Sequence, residues 1–244
     1  MVIKKFRRAS NHMNAPDFSK FEKKISVEFK NKGLLKQAFT HRSYINENKG
    51  TGLTHNERLE FLGDAVLELV ITEFLFREFP DKQEGELTSL RAALVNTVTI
   101  SKIAGDVGMN DFLLLSKGES KDVGRARQVI LANTFEAFIG ALYLDQGYES
   151  AKKFISDNLF SELKTIVEKS LWKDSKSKLQ EKSQEVLSIT PAYKTLNEVG
   201  PDHNKIFTVG LFLGEEQVSE GKGHSKQEAQ EEAAKSALKK KGWE

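Results

Sequence analysis

Glu57, Glu60 and Asp64, with Glu68 just beyond, recur at intervals of three and four residues in and after the stretch from His55 to Leu67. At about 100° per residue of α-helix these carboxylates share one narrow arc, while Leu59, Leu62, Val66, Leu69 and Val70 fill the remaining circumference. Like charges three and four apart repel. Nothing basic shares the stripe, because Arg58 points elsewhere, so the arrangement costs stability unless water or a hard cation neutralises it. A solvated face would interleave Lys or Arg with its acids. This helix is apolar nearly everywhere else and reads as buried on most sides, where carboxylates need partners. Thr54 and Glu57 also stand at capping-box spacing, which gives Glu57 a competing task at the helix start.

A second stretch, Val129 to Leu142, reads as another helix with oxygen donors on one face. Asn133, Glu136 and Gly140 stand at i, i+3 and i+7, and the Ala and Gly beside them leave room for another backbone to come close. Two mostly apolar helices with oxygen donors on one stripe each can converge to give several oxygens to Mg²⁺ or Mn²⁺, the metals such ligands favour.

The elements that would position these groups fall into two parts. From about Phe18 to Lys169 the pattern is predominantly helical, with loops expected at 46–53, 81–85 and 116–127. A polar junction at 170–173 follows, which would let the two parts swing. From Asp174 the order changes to a helix, then strands at Tyr193–Val199, Ile206–Leu213 and Gln217–Glu220 with a turn at Gly214-Glu215, then a last helix capped by Ser225 with Glu228 three residues on. Ala229, Ala233, Ala234, Ala237 and Leu238 give that helix a small-residue face suited to close packing on a sheet. The fold class expected is therefore an all-α domain over residues 18–169, joined by 170–173 to a small α+β domain of order α-β-β-β-α over 174–244, with residues 1–17 as a basic flexible tail.

At 244 residues the chain is long enough for two cores. It has no Cys, which excludes disulfides, thiolate zinc sites and a Cys nucleophile and fits a reducing cytoplasm. The basic N-terminal stretch (Lys4, Lys5, Arg7, Arg8) lacks the apolar run of a signal peptide. The most apolar segment, Ala65 to Phe76, is interrupted by Glu68 and Glu73 and is too short to span a membrane, so a cytoplasmic protein without a membrane partner is expected. Net charge is only +2, so composition alone does not point to nucleic acid.

The motifs do. His55 to Leu67 resembles the nuclease signature of bacterial ribonuclease III, the double-stranded-RNA endonuclease. Thr40-His41-Arg42-Ser43-Tyr44 resembles that family's upstream segment, and Asn133 to Leu144 its second metal-binding helix, in the same order and spacing. The resemblance implies Glu60, Asp64, Asn133 and Glu136 as the metal set, with Asp64 and Glu136 catalytic. It implies Glu57 and Glu84 as auxiliary acidic residues of the catalytic valley, Mg²⁺ as cofactor with Mn²⁺ substituting and no small-molecule cofactor, and a homodimer in which Phe61 and Phe76 help bury the interface if they are not simple core residues. One position departs: the family's usual pattern has Asp where this chain has Asn133, a neutral amide whose oxygen can still reach a metal or a coordinated water.

The segment from Asp174 to about Lys240 resembles a double-stranded-RNA-binding domain, through Gly200-Pro201-Asp202-His203 between the first two strands and Gly221 to Lys226 before the last helix. Such modules read duplex shape across about 16 base pairs of the shallow minor groove. By this resemblance Gln180, Glu181 and Gln184 of the first helix and His203 reach the minor groove, while Ser225, Lys226 and the start of the last helix meet phosphate. Gln227 and Gln230 stand where the family often has Lys, so a weaker and less salt-dependent grip is expected. Together these features imply an endoribonuclease that cuts both strands of duplex RNA, leaves 5′-phosphate and 3′-hydroxyl ends, and processes ribosomal and other structured precursors. The alternative, resting on Asn133, is a non-catalytic double-stranded-RNA-binding regulator.

Overall fold

The structure, a computed structural model, describes residues 16–168, 175–201 and 205–243. The chain divides into two compact units, 1–168 and 169–244. The expected tail (apart from its last residues), the junction at 170–173 and His203 lie outside the described residues.

The first unit is helical: α1 (Phe18–Ile25), α2 (Lys32–Ala38), α3 (Arg42–Glu47), α4 (Glu57–Glu78), α5 (Glu84–Val95), α6 (Thr97–Asp106), α7 (Arg125–Gln146) and α8 (Tyr148–Glu168), with 3₁₀ turns at Met109–Phe112 and Glu119–Lys121. Helices α4 and α7 have 22 residues each and are about 33 Å long. They cross backbone to backbone. A Cβ on Gly63 would land on the carbonyl oxygen of Glu136, and one on Gly140 would land on that of Leu59, so only glycine permits this approach. Beside the crossing, Phe21, Phe29, Phe39 and Phe138 pack edge-on and tilted in a fully enclosed core.

Three local expectations are corrected. The loop expected to run to Gly85 ends earlier, because Gln83 and Glu86 form a reciprocal capping box that starts α5 at Glu84. The 116–127 loop contains a 3₁₀ turn and gives way to α7 at Arg125. The Thr54–Glu57 capping box is not made. Asn56 stands at the helix boundary, its amide Nδ2 donating to the carbonyl oxygen of Ala38 while its backbone N–H donates to that of Thr40.

The second unit is α9 (Ser175–Leu187), β1 (Ala192–Val199), β2 (Ile206–Leu213), β3 (Glu216–Gly223) and α10 (Lys226–Lys241), the strands forming an antiparallel sheet of order β1-β2-β3. Strand β3 runs three residues past the expected end, because Val209 pairs with Gly221 and Phe207 with Gly223. Those glycines are needed there: a Cβ on Gly221 would strike the backbone of Ala229 and Ala233 in α10. Leu179, Leu211, Leu213, Val218, Ala233, Ala234, Ala237 and Leu238 form the core. Ser225 caps α10 by accepting from the Glu228 N–H at 3.0 Å, and the Glu228 carboxylate accepts from the His224 N–H at 2.7 Å.

Candidate active site and nucleic-acid interface

The glycine crossing places one acidic stripe against the other. Glu60 and Asp64 of α4 flank Gly63, and Glu136 of α7 carries the carbonyl that Gly63 touches. The consequences are electrostatic. The Glu136 carboxyl is pushed up to about 7, first by burial and then by the negative charges of Asp64, Glu60 and Glu68. Glu60 is also raised, by burial first and then by Glu57 and Asp64, while a hydrogen bond from the Asn133 side chain works the other way. The structure thus brings Glu60, Asp64, Asn133 and Glu136 together, with Glu68 close enough to be felt. Asn133 serves here as a donor to a neighbouring acid, where an Asp would have added a further charge.

Among the described residues, no three His, Cys, Asp or Glu side chains stand as a ready-made metal-binding group. The donor chemistry nonetheless suits a hard divalent cation: the donors are oxygens only, and every charged group acting on Glu136 is negative. A cation between them would offset the burial and the repulsion that together raise Glu136.

Glu57 is not the unneutralised acid its stripe suggested. Arg42 of α3 reaches it at 3.1 Å, and His55 Nδ1 stands 3.8 Å away on the other side. Sequence periodicity along α4 could not reveal a partner contributed by another helix 15 residues earlier. Glu84 is not among the groups that act on Glu60 or Glu136. It begins α5 and lines a separate cavity of about 450 Å³ with Leu75, Phe76, Leu87 and Arg91.

The expectation that α4 is buried on most sides is also corrected. Phe61, Leu69 and Phe76 are 82%, 56% and 71% exposed, and Ala65 is exposed with them. These residues form an apolar stripe next to the acidic one.

In the second unit, Gln180, Glu181 and Gln184 are all exposed on α9, on the side away from buried Leu179 and Ser183. Gln180 and Ser225 line one concavity of about 680 Å³ with Lys176, Gln227 and Glu228. Lys226 is exposed but engaged: it pairs with Glu198 at 3.0 Å and stands 5.6 Å over the Phe207 ring. Gln230 accepts from the Lys176 ammonium at 2.7 Å, a contact that a Lys at 230 could not make. No helix among the described residues is long and apolar enough to cross a membrane.

Residues 31–163 match a family model described as ribonuclease-III-like, and residues 175–241 match the double-stranded RNA binding motif. The chain is similar to Ribonuclease 3 of Nitratiruptor sp., at 46% identity over 219 residues, 90% of this chain and 94% of that relative. It is similar to Ribonuclease 3 of Borreliella burgdorferi at 43% over 221 residues, 91% and 90% of the two chains. Among solved structures, the nuclease domain of a ribonuclease III from Campylobacter jejuni, described for structural flexibility in a region involved in dimer formation, aligns with a TM-score of 0.52 at 44% identity. It covers 58% of this chain and 98% of that one.

Proposed function

The chain belongs to the ribonuclease III family and is an endoribonuclease acting on double-stranded RNA, and from that premise we propose how its own residues carry the reaction. Glu60, Asp64 and Glu136 would hold Mg²⁺, with the Asn133 amide oxygen as a neutral fourth donor and Mn²⁺ able to replace Mg²⁺. A bound ion there supplies Lewis-acid stabilisation of the scissile phosphate and of a leaving 3′ oxygen, and acidifies an attacking water. The carboxylates do not attack phosphorus. Glu136 must first give up its proton, so it couples site assembly to pH near neutrality. Hydrolysis breaks the P–O3′ bond, leaving a 5′-phosphate and a 3′-hydroxyl, on ribosomal and other structured precursors.

The exposed apolar stripe of α4 supports a homodimer, since Phe61, Leu69 and Phe76 bury area only against another surface. Glu84, which lines the 450 Å³ cavity together with Phe76, would then act across that interface rather than within its own valley. Duplex RNA is gripped by Gln180, Glu181 and Gln184 of α9, by His203, and by Ser225 and Lys226 at the start of α10, where backbone N–H groups and the helix dipole favour an anion. A non-catalytic regulator finds no support in these relatives, which are named as ribonucleases.

The observation that carries the reading is the Gly63–Gly140 crossing, which sets Glu60 and Asp64 against Glu136. The test is Glu136→Gln on an end-labelled duplex. Retained binding with cleavage lost at least a hundredfold in saturating Mg²⁺ is expected, and undiminished cutting would remove Glu136 from the site.

A further inference from the structure

Arg42 and Glu57 are the first residues of α3 and α4, and their side chains meet at 3.1 Å although both are largely exposed, 67% and 44%. An ion pair in that setting adds little to stability. Its surroundings give it a different significance. On the inner side, Glu57 is the largest charge acting on Glu60, so it belongs electrically to the valley. On the outer side, Arg42 presents a guanidinium at the rim, the group best shaped to take a phosphate bidentately. His55 flanks the pair with an enclosed Nδ1 that has no hydrogen-bond partner and lies 3.8 Å from Glu57.

We propose that Arg42 is a positioning residue that exchanges Glu57 for a backbone phosphate of duplex RNA, and that the released Glu57 then adds its charge to the carboxylates that attract the metal. The pair thereby divides the site between its two cationic and anionic visitors. With RNA absent, Arg42 cancels Glu57 and the valley attracts cations less. With a phosphate on Arg42, the valley regains a full negative charge as substrate arrives. The inference rests on the reading of the valley as the cleavage site.

The full chain and its Arg42→Ala, Arg42→Lys and Glu57→Gln variants are compared in two assays that require no cleavage. Duplex RNA binding is followed by anisotropy in EDTA across a salt series, and Mn²⁺ binding without RNA by the paramagnetic resonance of unbound Mn²⁺. Arg42→Ala is expected to weaken RNA binding three- to tenfold and to lower the salt slope by about one, the loss of one phosphate contact. It is expected to tighten Mn²⁺ at least twofold. Glu57→Gln should move both affinities in the opposite directions, and Arg42→Lys should keep the salt slope. An unchanged slope in Arg42→Ala, or loss of both affinities together as a merely structural defect would produce, overturns the proposal. Mn²⁺ binding that Glu136→Gln leaves untouched would instead overturn the reading of the valley, and the RNA arm in EDTA is independent of it.

Discussion

The two working surfaces of this chain are built on opposite electrostatic terms. In the valley, half-buried acids of one sign are held together by backbone contact between α4 and α7, and Glu136 responds by keeping its proton up to about pH 7. On the RNA-binding unit the described working groups are exposed, and the ammonium of Lys226 is already answered by Glu198. The first surface stores an imbalance that a ligand relieves. The second must give up existing contacts to bind, so each of its residues counts for less. Damage to the valley should therefore be concentrated and severe, and damage to the RNA face spread out and mild.

The sharpest way to break that contrast is Gly63→Ala. The new methyl has no place beside the Glu136 carbonyl, so the helices must part, and a loss of about 3 kcal/mol in stability is expected by chemical denaturation, with cleavage abolished. A mild effect would mean the crossing is softer than its contacts imply.

Next in size is the pH behaviour of Glu136. Its folded value, about 7, lies above its ordinary value of 4.5, so its contribution to stability is fully present below about pH 4.5 and is lost as pH rises through 7. Without divalent ions the melting temperature should fall between pH 5 and 8. Glu136→Gln should flatten that fall, by on the order of 1 kcal/mol once solvent screening is allowed for.

Asn133→Asp sharpens the comparison further by raising the stored imbalance. Expected are a three- to tenfold gain in Mn²⁺ affinity and a lower melting temperature in EDTA, read by titration and thermal scan. Equal cleavage of duplex RNA by the parent and this variant in saturating Mg²⁺ would mean that the amide oxygen suffices as a donor. The smallest effect belongs to the other surface: Lys226→Ala should weaken duplex binding only two- to fivefold, because Glu198 already competes for the ammonium.

Much of this was legible in the sequence, for physical reasons that differ by residue. Glu60, Asp64, Asn133 and Glu136 lie on regular helices, where spacing along the chain dictates direction in space, and the structure brings their stripes together. Strand alternation located β2 at both its ends. What the sequence hid was contributed from elsewhere in the chain. The partner of Glu57 comes from α3, the end of β3 is set by pairing with β2, and the start of α5 by a Gln83 cap that has no strong sequence signature. Periodicity leaves Phe61 and Phe76 open between the core and a dimer interface, because it separates apolar from polar faces without saying whether an apolar face has anything to rest against, and the structure finds both exposed together with Leu69.

The meeting of Gly63 and Gly140 also bears on how such a site can change over generations. Where two helices touch through their main chains, the distance between them is fixed by atoms that every residue shares, and the surrounding Leu, Ile and Phe can be exchanged for one another without moving the acids. Substitutions in that core, or at a single donor such as Asn133, would therefore leave the spacing of the acids to two positions with no side chain at all.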